Sequence, residues 1–311
     1  MKQNKKELVS VVIRTLNEEK HLPELLESIR KQFSAYFDFE IVIVDSGSTD
    51  NTLDIAKSYS ARITFIKKEN FSFGRSLNIG CEFANGKYLV FVSGHCIPTG
   101  SRWIHDIVMP LKKGSCLYTY GRQEARDTTK FSEKQLFSKY FPDTNQIPQE
   151  GFFCNNANAA LLKSVWEKYK FDENLTGCED MELAKRLCAD GGRIGYVAEA
   201  SVFHIHDETW WQVRTRYERE AVALQKIMPE VHLTKFDVLQ FFLAGVAKDM
   251  RAAFSSRVLI GNFGSIIMFR WAQFYGAYVG NHSVRKVSRK VKDRYFYPRV
   301  TDMAIKEKYD D

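Results

Sequence analysis

Two polar runs follow short β-branched stretches, where a parallel strand would meet its loop. Val9 to Ile13 leads into Arg14-Thr15-Leu16-Asn17-Glu18-Glu19, and Glu40 to Val44 leads into Asp45-Ser46-Gly47-Ser48-Thr49-Asp50. Carboxylates, amides and hydroxyls at successive strand ends form a rim able to hydrogen-bond a base and a ribose. The second run alone also reads as an ordinary turn, since Ser, Gly and Asp are turn formers. No GxGxxG follows the first strand and no GxxxxGK[ST] occurs, so a dinucleotide oxidoreductase and a P-loop NTPase lose their main support. Further on, Asn155 and Asn156 carry amides suited to sugar hydroxyls, and Trp210 and Trp211 can stack on a pyranose or pack in a core. His204 and His206 are two apart in a strand-like stretch, so their imidazoles project to one face.

The elements that must position these groups alternate. Leu22, Leu25, Leu26 and Ile29 lie at helical spacing within His21 to Phe33, which makes a βαβ unit with the two flanking strands. A helix over Thr52 to Ser60, a strand over Arg62 to Ile66, a helix around Arg75 to Ala84 and a continuous apolar strand over Tyr88 to Val92 extend the pattern. The expectation is an α/β fold, a mostly parallel sheet with helices on both faces and ligands at the C-terminal strand ends. Beyond residue 100 the rhythm loosens. Phe131 to Pro148 reads as a short helix and a loop, Leu161 to Lys168 and Met181 to Ala189 as helices, and Arg193 to His206 as strand segments. Trp211 to Met228 and Phe236 to Phe254 read as helices, followed by an aromatic, Gly-rich stretch over Val258 to Gly280.

The motifs in order, VSVVIRTLNEE, EIVIVDSGSTDNT, FSFGRSLNIG, ANGKYLVFVSGHCIP and CEDMELAKRL, resemble the family 2 glycosyltransferases, inverting enzymes of GT-A fold. FSFGRSLNIG and HIHDETWWQVRTRYEREAVAL resemble the rhamnosyltransferase-type branch most. The resemblance covers about Val9 to Trp210 and implies a GT-A domain over 1–210, with a nucleotide-binding half to about 100 and an acceptor half after it. A helical region with a basic tail would follow over 211–311. It implies that Thr15, Asn17 and Glu18 line the nucleoside pocket, with Asp45 at the base edge and Ser48 nearby. Arg75 would approach the ribose or phosphates through paired hydrogen bonds. Asp180 matches the family's catalytic base, taking the acceptor hydroxyl proton, with Glu179 orienting it or binding acceptor. Without the family, Glu179 and Asp180 are acids suited to a helix N-terminus.

One departure concerns the metal. Where the family has Asp-x-Asp for a divalent cation, this chain has Ser93-Gly94-His95. Either His95, His204 and His206 ligate Mn²⁺ or Mg²⁺, or protonated imidazoles replace the metal as counter-charges. A nucleoside-monophosphate sugar used without metal is the second enzyme reading, and a non-catalytic nucleotide-sugar binding module is the reading from another class. By resemblance the product is a bacterial surface polysaccharide, an O-antigen or capsule, built on a glycan or lipid-linked glycan acceptor.

Composition bounds the rest. The chain has 311 residues, 44% hydrophobic and 27% charged, which excludes disorder, collagen and a pure coiled coil. Six cysteines without a CxxC pair suit reduced thiols better than disulfides or zinc. Residues Met1 to Leu8 are charged and unlike a secretory signal, so a cytosolic protein is expected. Much of the net charge of +7 lies between Arg285 and Arg299, where Arg285, Lys286, Arg289, Lys290, Lys292, Arg294 and Arg299 face only Asp293. That cluster suits an anionic membrane surface or a solvated end; no aromatic-basic RNA motif accompanies it, which disfavours nucleic acid. Val258 to Phe269 is too short before Arg270 to span a bilayer, leaving a surface helix beside the cluster or a packed helix.

Overall fold

A computed structural model gives the fold and describes residues 5–283 and 295–296. These residues form two compact units. One holds the residues up to His206 apart from two short inserts, Lys130–Ser132 and Thr176–Cys178; the other holds those inserts and the residues from Asp207 onward.

In chain order the first unit contains β1 (Glu7–Thr15), α1 (Leu22–Arg30), β2 (Phe37–Asp45), α2 (Thr52–Ser58), β3 (Arg62–Phe65), α3 (Phe73–Phe83), β4 (Tyr88–Ser93) and β5 (Cys96–Pro98). It continues with α4 (Trp103–Lys112), β6 (Tyr118–Glu124), α5 (Phe131–Tyr140), β7 (Asn158–Leu162), α6 (Lys163–Tyr169), α7 (Glu179–Ala189) and β8 (Ile194–His204). The eight strands form one sheet in the order β3-β2-β1-β4-β7-β6-β8-β5. Two buried clusters fill its two sides, one including Val11, Ile13, Leu25 and Ile29, the other Val12, Val44, Leu77 and Phe91. Helix α3 comes so close to the sheet that a Cβ on Gly80 would lie 2.5 Å from Val12 Cγ1. Only a residue without a side chain fits that approach.

The first half follows the expected βαβ order, and β1, β2, β3 and β4 are all parallel neighbours. In the second half β6 and β8 are parallel, whereas β7 runs antiparallel to both β4 and β6 and β5 runs antiparallel to β8, so the sheet is mixed and mostly parallel, as expected. Single elements there differ from the sequence reading. Leu161 and Leu162, assigned to a helix, end β7. Ala and Leu favour helix intrinsically, but pairing of Ala160 with Val90 and burial overrule that preference. Strands β5 and β6 and helix α4 were not expected. Pro110 inside α4 reads as a helix breaker, and Gly121 in β6 is needed because a Cβ there would lie 2.1 Å from the Ala200 carbonyl oxygen.

The second unit contains α8 (Trp210–Ile227), α9 (Lys235–Ser255) and α10 (Leu259–Asn281). Thr209 and Gln212 form a capping box on α8, and Thr234 and Asp237 form one on α9, satisfying backbone donors at both starts. Arg270 does not interrupt the aromatic stretch. It lies mid-way along α10, where its Nε and Nη2 donate to the two carboxylate oxygens of buried Asp249 at 2.7 and 2.8 Å. Removing one member of such a pair strands a buried charge. Asp249→Ala is therefore expected to lower stability by about 3 kcal/mol or more in a urea titration, and Asp249→Ala with Arg270→Leu to recover most of it. A cost under about 1 kcal/mol for the single variant would show that the pair is solvated.

Candidate active site

The loops after β1 and β2 are tied together. Asn17, at φ 56, places its side-chain oxygen to accept from the Thr49 N–H at 2.8 Å, while its own N–H donates to Ser48 Oγ at 2.9 Å. The Glu18 N–H donates to Thr52 Oγ1 at 2.8 Å. Asp45, expected at a base edge, is 1% exposed. Its Oδ1 accepts the Gly47 and Ser48 N–H groups, and its Oδ2 accepts the Thr15 and Ser48 hydroxyls. Those four bonds occupy a carboxylate's acceptor sites, so Asp45 shapes the loop and has no further lone pair for a base. Arg75 does not join the rim residues: its Nε donates to Glu173 at 2.7 Å and its Nη1 to the Asn70 carbonyl at 3.2 Å.

The three histidines do converge. His95 lies in the turn between β4 and β5, beside half-buried Ser93 at the end of β4. Because β5 pairs antiparallel with β8, Cys96 lies opposite His204 and the Ile205 N–H donates to the His95 carbonyl at 3.2 Å. Ring centroids are 4.0 Å apart for His204 and His206, 5.3 Å for His95 and His204, and 6.0 Å for His95 and His206. One ligating atom from each lies within 4.8 Å of the others.

Each ring has its own oxygen partner on Nδ1: Glu18 on His95 at 2.9 Å, Gln123 on His204 at 2.6 Å and Glu133 on His206 at 2.7 Å. These oxygens accept from Nδ1–H, which sets the tautomer and orientation of each ring. Gly94 makes room for the first contact, since a Cβ there would lie 2.8 Å from Glu18 Cγ. The donor set fits a divalent transition cation. Three imidazoles bring no negative charge and suit hard, oxygen-seeking Mg²⁺ poorly. Sequence reasoning missed Gln123 and Glu133, because only the β6–β8 pairing and the return of α5 bring them to the rings.

Asp180 occupies the first turn of α7 and is 9% exposed. Its Oδ2 accepts the Asn156 N–H at 2.7 Å and its Oδ1 the Met181 N–H at 2.8 Å. Burial, with the neighbouring Glu179 charge, pushes its carboxyl up to about 7 against the pull of those two N–H donors. Glu179 accepts from Arg14 Nη1 at 3.5 Å, which ties the start of α7 to the end of β1. Asn155 caps its own turn, its Oδ1 accepting the Ala157 N–H at 2.9 Å. Asn156 is 3% exposed; its Oδ1 accepts from the Tyr118 hydroxyl, and its Nδ2 has no acceptor among the described residues. Trp210 opens α8 in the other unit, where Lys130 Nζ lies 5.4 Å from its ring centroid. Arg14 and Tyr118, both absent from the expected site, are the supports that only the folded sheet reveals.

A buried carboxylate at the start of α7, a three-imidazole cluster around the β4–β5 turn and the end of β8, and a polar rim after β1 and β2 thus belong to the unit built on one mixed sheet. The family model of glycosyl transferase family 2 matches residues 10–170, a span that ends before Glu179. The O-antigen chain rhamnosyltransferase WbaN of Salmonella anatum is 30% identical over 191 residues, covering 57% of this chain and 60% of that protein. The O-antigen chain rhamnosyltransferase RfbN of Salmonella typhimurium is 26% identical over 223 residues, covering 67% of this chain and 70% of the relative. Among solved structures, the mannosyltransferase PcManGT of Pyrobaculum calidifontis, in complex with GDP-Man and Mn²⁺, has a similar fold. Its TM-score is 0.60 at 14% identity, covering 94% of this chain and 88% of that one. With more than half of its residues matched, the chain belongs to glycosyl transferase family 2 and has the family's α/β GT-A fold with a C-terminal helical extension.

Proposed function

We propose that this glycosyltransferase moves one hexosyl or deoxyhexosyl unit from a nucleotide-sugar donor to a hydroxyl of a glycan acceptor, inverting the anomeric carbon. The observation that carries this reading is Asp180, a buried carboxylate that accepts the Asn156 and Met181 N–H groups. Burial and the Glu179 charge raise its proton affinity, and a base so strengthened takes a hydroxyl proton in the transition state. The acceptor oxygen forms its bond to the anomeric carbon as its proton passes to Asp180. The bond from that carbon to the donor phosphate breaks on the opposite face, leaving its electron pair on the nucleotide oxygen.

The remaining roles are those that the family resemblance implies. Thr15, Asn17, Glu18 and Ser48 present the nucleoside rim, which Asp45 holds in shape, and Arg75, paired with Glu173, is kept for the donor's phosphates on the family resemblance alone. Ser93 borders the histidine turn. Glu179, paired to Arg14, sets the position of Asp180, while Asn155 and Asn156, whose Nδ2 has no acceptor among the described residues, serve the acceptor. Trp210 offers a stacking face. His95, His204 and His206 would hold a divalent cation, which when bound would supply positive charge against the donor's leaving phosphates. The Salmonella relatives support a surface polysaccharide such as O-antigen as the product and a deoxyhexose as the sugar.

A donor screen followed by proton NMR of the product tests the reading. Turnover with one nucleotide sugar, giving the anomeric configuration opposite to the donor's, is expected. A product that keeps the donor's configuration would rule out a single displacement with Asp180 as base.

A further inference from the structure

The hairpin formed by α9 and α10 carries apolar side chains on the outside. In α9, Phe236, Leu239, Leu243 and Phe254 are exposed, the two phenylalanines at 73%, and their spacing of three, four and eleven keeps them within one narrow arc of the helix. In α10, Ile260, Phe263, Met268, Trp271 and Tyr275 form a second stripe, with Ile260 97% exposed. Scattered apolar residues on a surface are normal; two periodic stripes on neighbouring helices are not. Phe241 meets Phe274 and Asp249 meets Arg270, so the helices run antiparallel, and Phe254 and Ile260 flank the turn.

Charge narrows the partner. Lys235, Lys248, Arg251 and Arg257 are exposed along the hairpin. The segment has only two acids: Asp237 is used in a helix cap and Asp249 is buried against Arg270. The outward surface is thus apolar and cationic, the composition of a helix lying in a lipid interface. Trp271 and Tyr275, stacked at 5.2 Å with rings 4° apart, are the side chains favoured at that depth. No helix among the described residues is long and apolar enough to cross a membrane.

We propose that the α9–α10 hairpin docks on an anionic lipid bilayer, with both stripes in the interface and the four cations among the headgroups. The basic cluster from Arg285 to Arg299, expected from the sequence to meet an anionic surface, lies outside the described residues. Docking would confine the enzyme to the surface that carries a lipid-linked acceptor. The proposal is independent of the transfer chemistry, since vesicle binding needs neither donor nor acceptor.

Flotation of the full chain with phosphatidylcholine vesicles, with and without phosphatidylglycerol, is the test. Binding is expected only with phosphatidylglycerol, weakening as salt is added. Leu243→Asp with Ile260→Asp is expected to lower partitioning by about tenfold or more without changing the melting temperature, since both side chains are exposed. Emission from Trp271, isolated by comparison with Trp271→Phe, is expected to shift to the blue on vesicles. Wild-type protein that stays with the aqueous phase overturns the proposal, as does a double variant that floats equally well. A dimer on light scattering that shields Trp271 from aqueous quencher and ignores vesicles would make the hairpin a protein interface instead.

Discussion

Asp180→Asn is expected to lower turnover by about 10²-fold or more while nucleotide binding stays near wild type, because the amide keeps the shape and loses the proton affinity. The wild-type pH profile adds a second readout. With Asp180 as the base the active form is the carboxylate, and burial with the Glu179 charge pushes its titration up to about 7. Turnover should therefore be level above that pH and fall about tenfold for each unit below it. In the Asn variant this acid limb should disappear from the residual rate. The same shift has a cost in stability. The neutral carboxyl is favoured in the fold relative to the unfolded chain, so its contribution is greatest below the ordinary Asp value and is lost as pH rises through about 7. Full turnover by the variant, or an acid limb that survives in it, would move the base elsewhere.

Exhaustive chelation is expected to abolish turnover, with Mn²⁺ restoring it better than Mg²⁺. Measured directly by calorimetry, Zn²⁺ should bind more tightly than Mn²⁺, and Mg²⁺ least, the order set by imidazole ligands. His204→Ala removes one of three donors and should eliminate measurable Mn²⁺ binding. Gln123→Leu tests the supporting oxygen. Freed from its anchor, the His204 ring loses its fixed orientation, and metal affinity should drop about 10- to 100-fold. Turnover indifferent to chelation, in a protein that binds no Mn²⁺, would leave the imidazoles as counter-charges alone.

The sequence made some of this legible for local reasons. Val9 to Ile13 and Glu40 to Val44 are rich in β-branched residues and Tyr88 to Val92 is a continuous apolar run, so all three read as strands, and Leu22, Leu25, Leu26 and Ile29 mark a helix by spacing alone. His204 and His206 could be placed on one side because strand geometry has a period of two. What stayed hidden depends on distant partners. Asn158 to Leu162 carries helix-favouring residues and is a strand because β4 and β6 flank it. Gln123 and Glu133 have no spacing signal toward the histidines. Arg270 looked like an interruption because the acid that neutralises it, Asp249, lies on a different helix.

The bond from the Asn156 N–H to Asp180 comes from the peptide unit, not from a side chain. Every residue except proline brings that donor, so the position of the base is insulated from mutation at 156. The side chain there can drift freely as far as Asp180 is concerned, although its loss would strand the buried Tyr118 hydroxyl. On the proposed roles, a proton acceptor fixed by main chain and an acceptor surface written in side chains would be separable in evolution. Substitutions at Asn155 and Asn156, with a compensating change at Tyr118, would then alter acceptor choice while Asp180 stays in place.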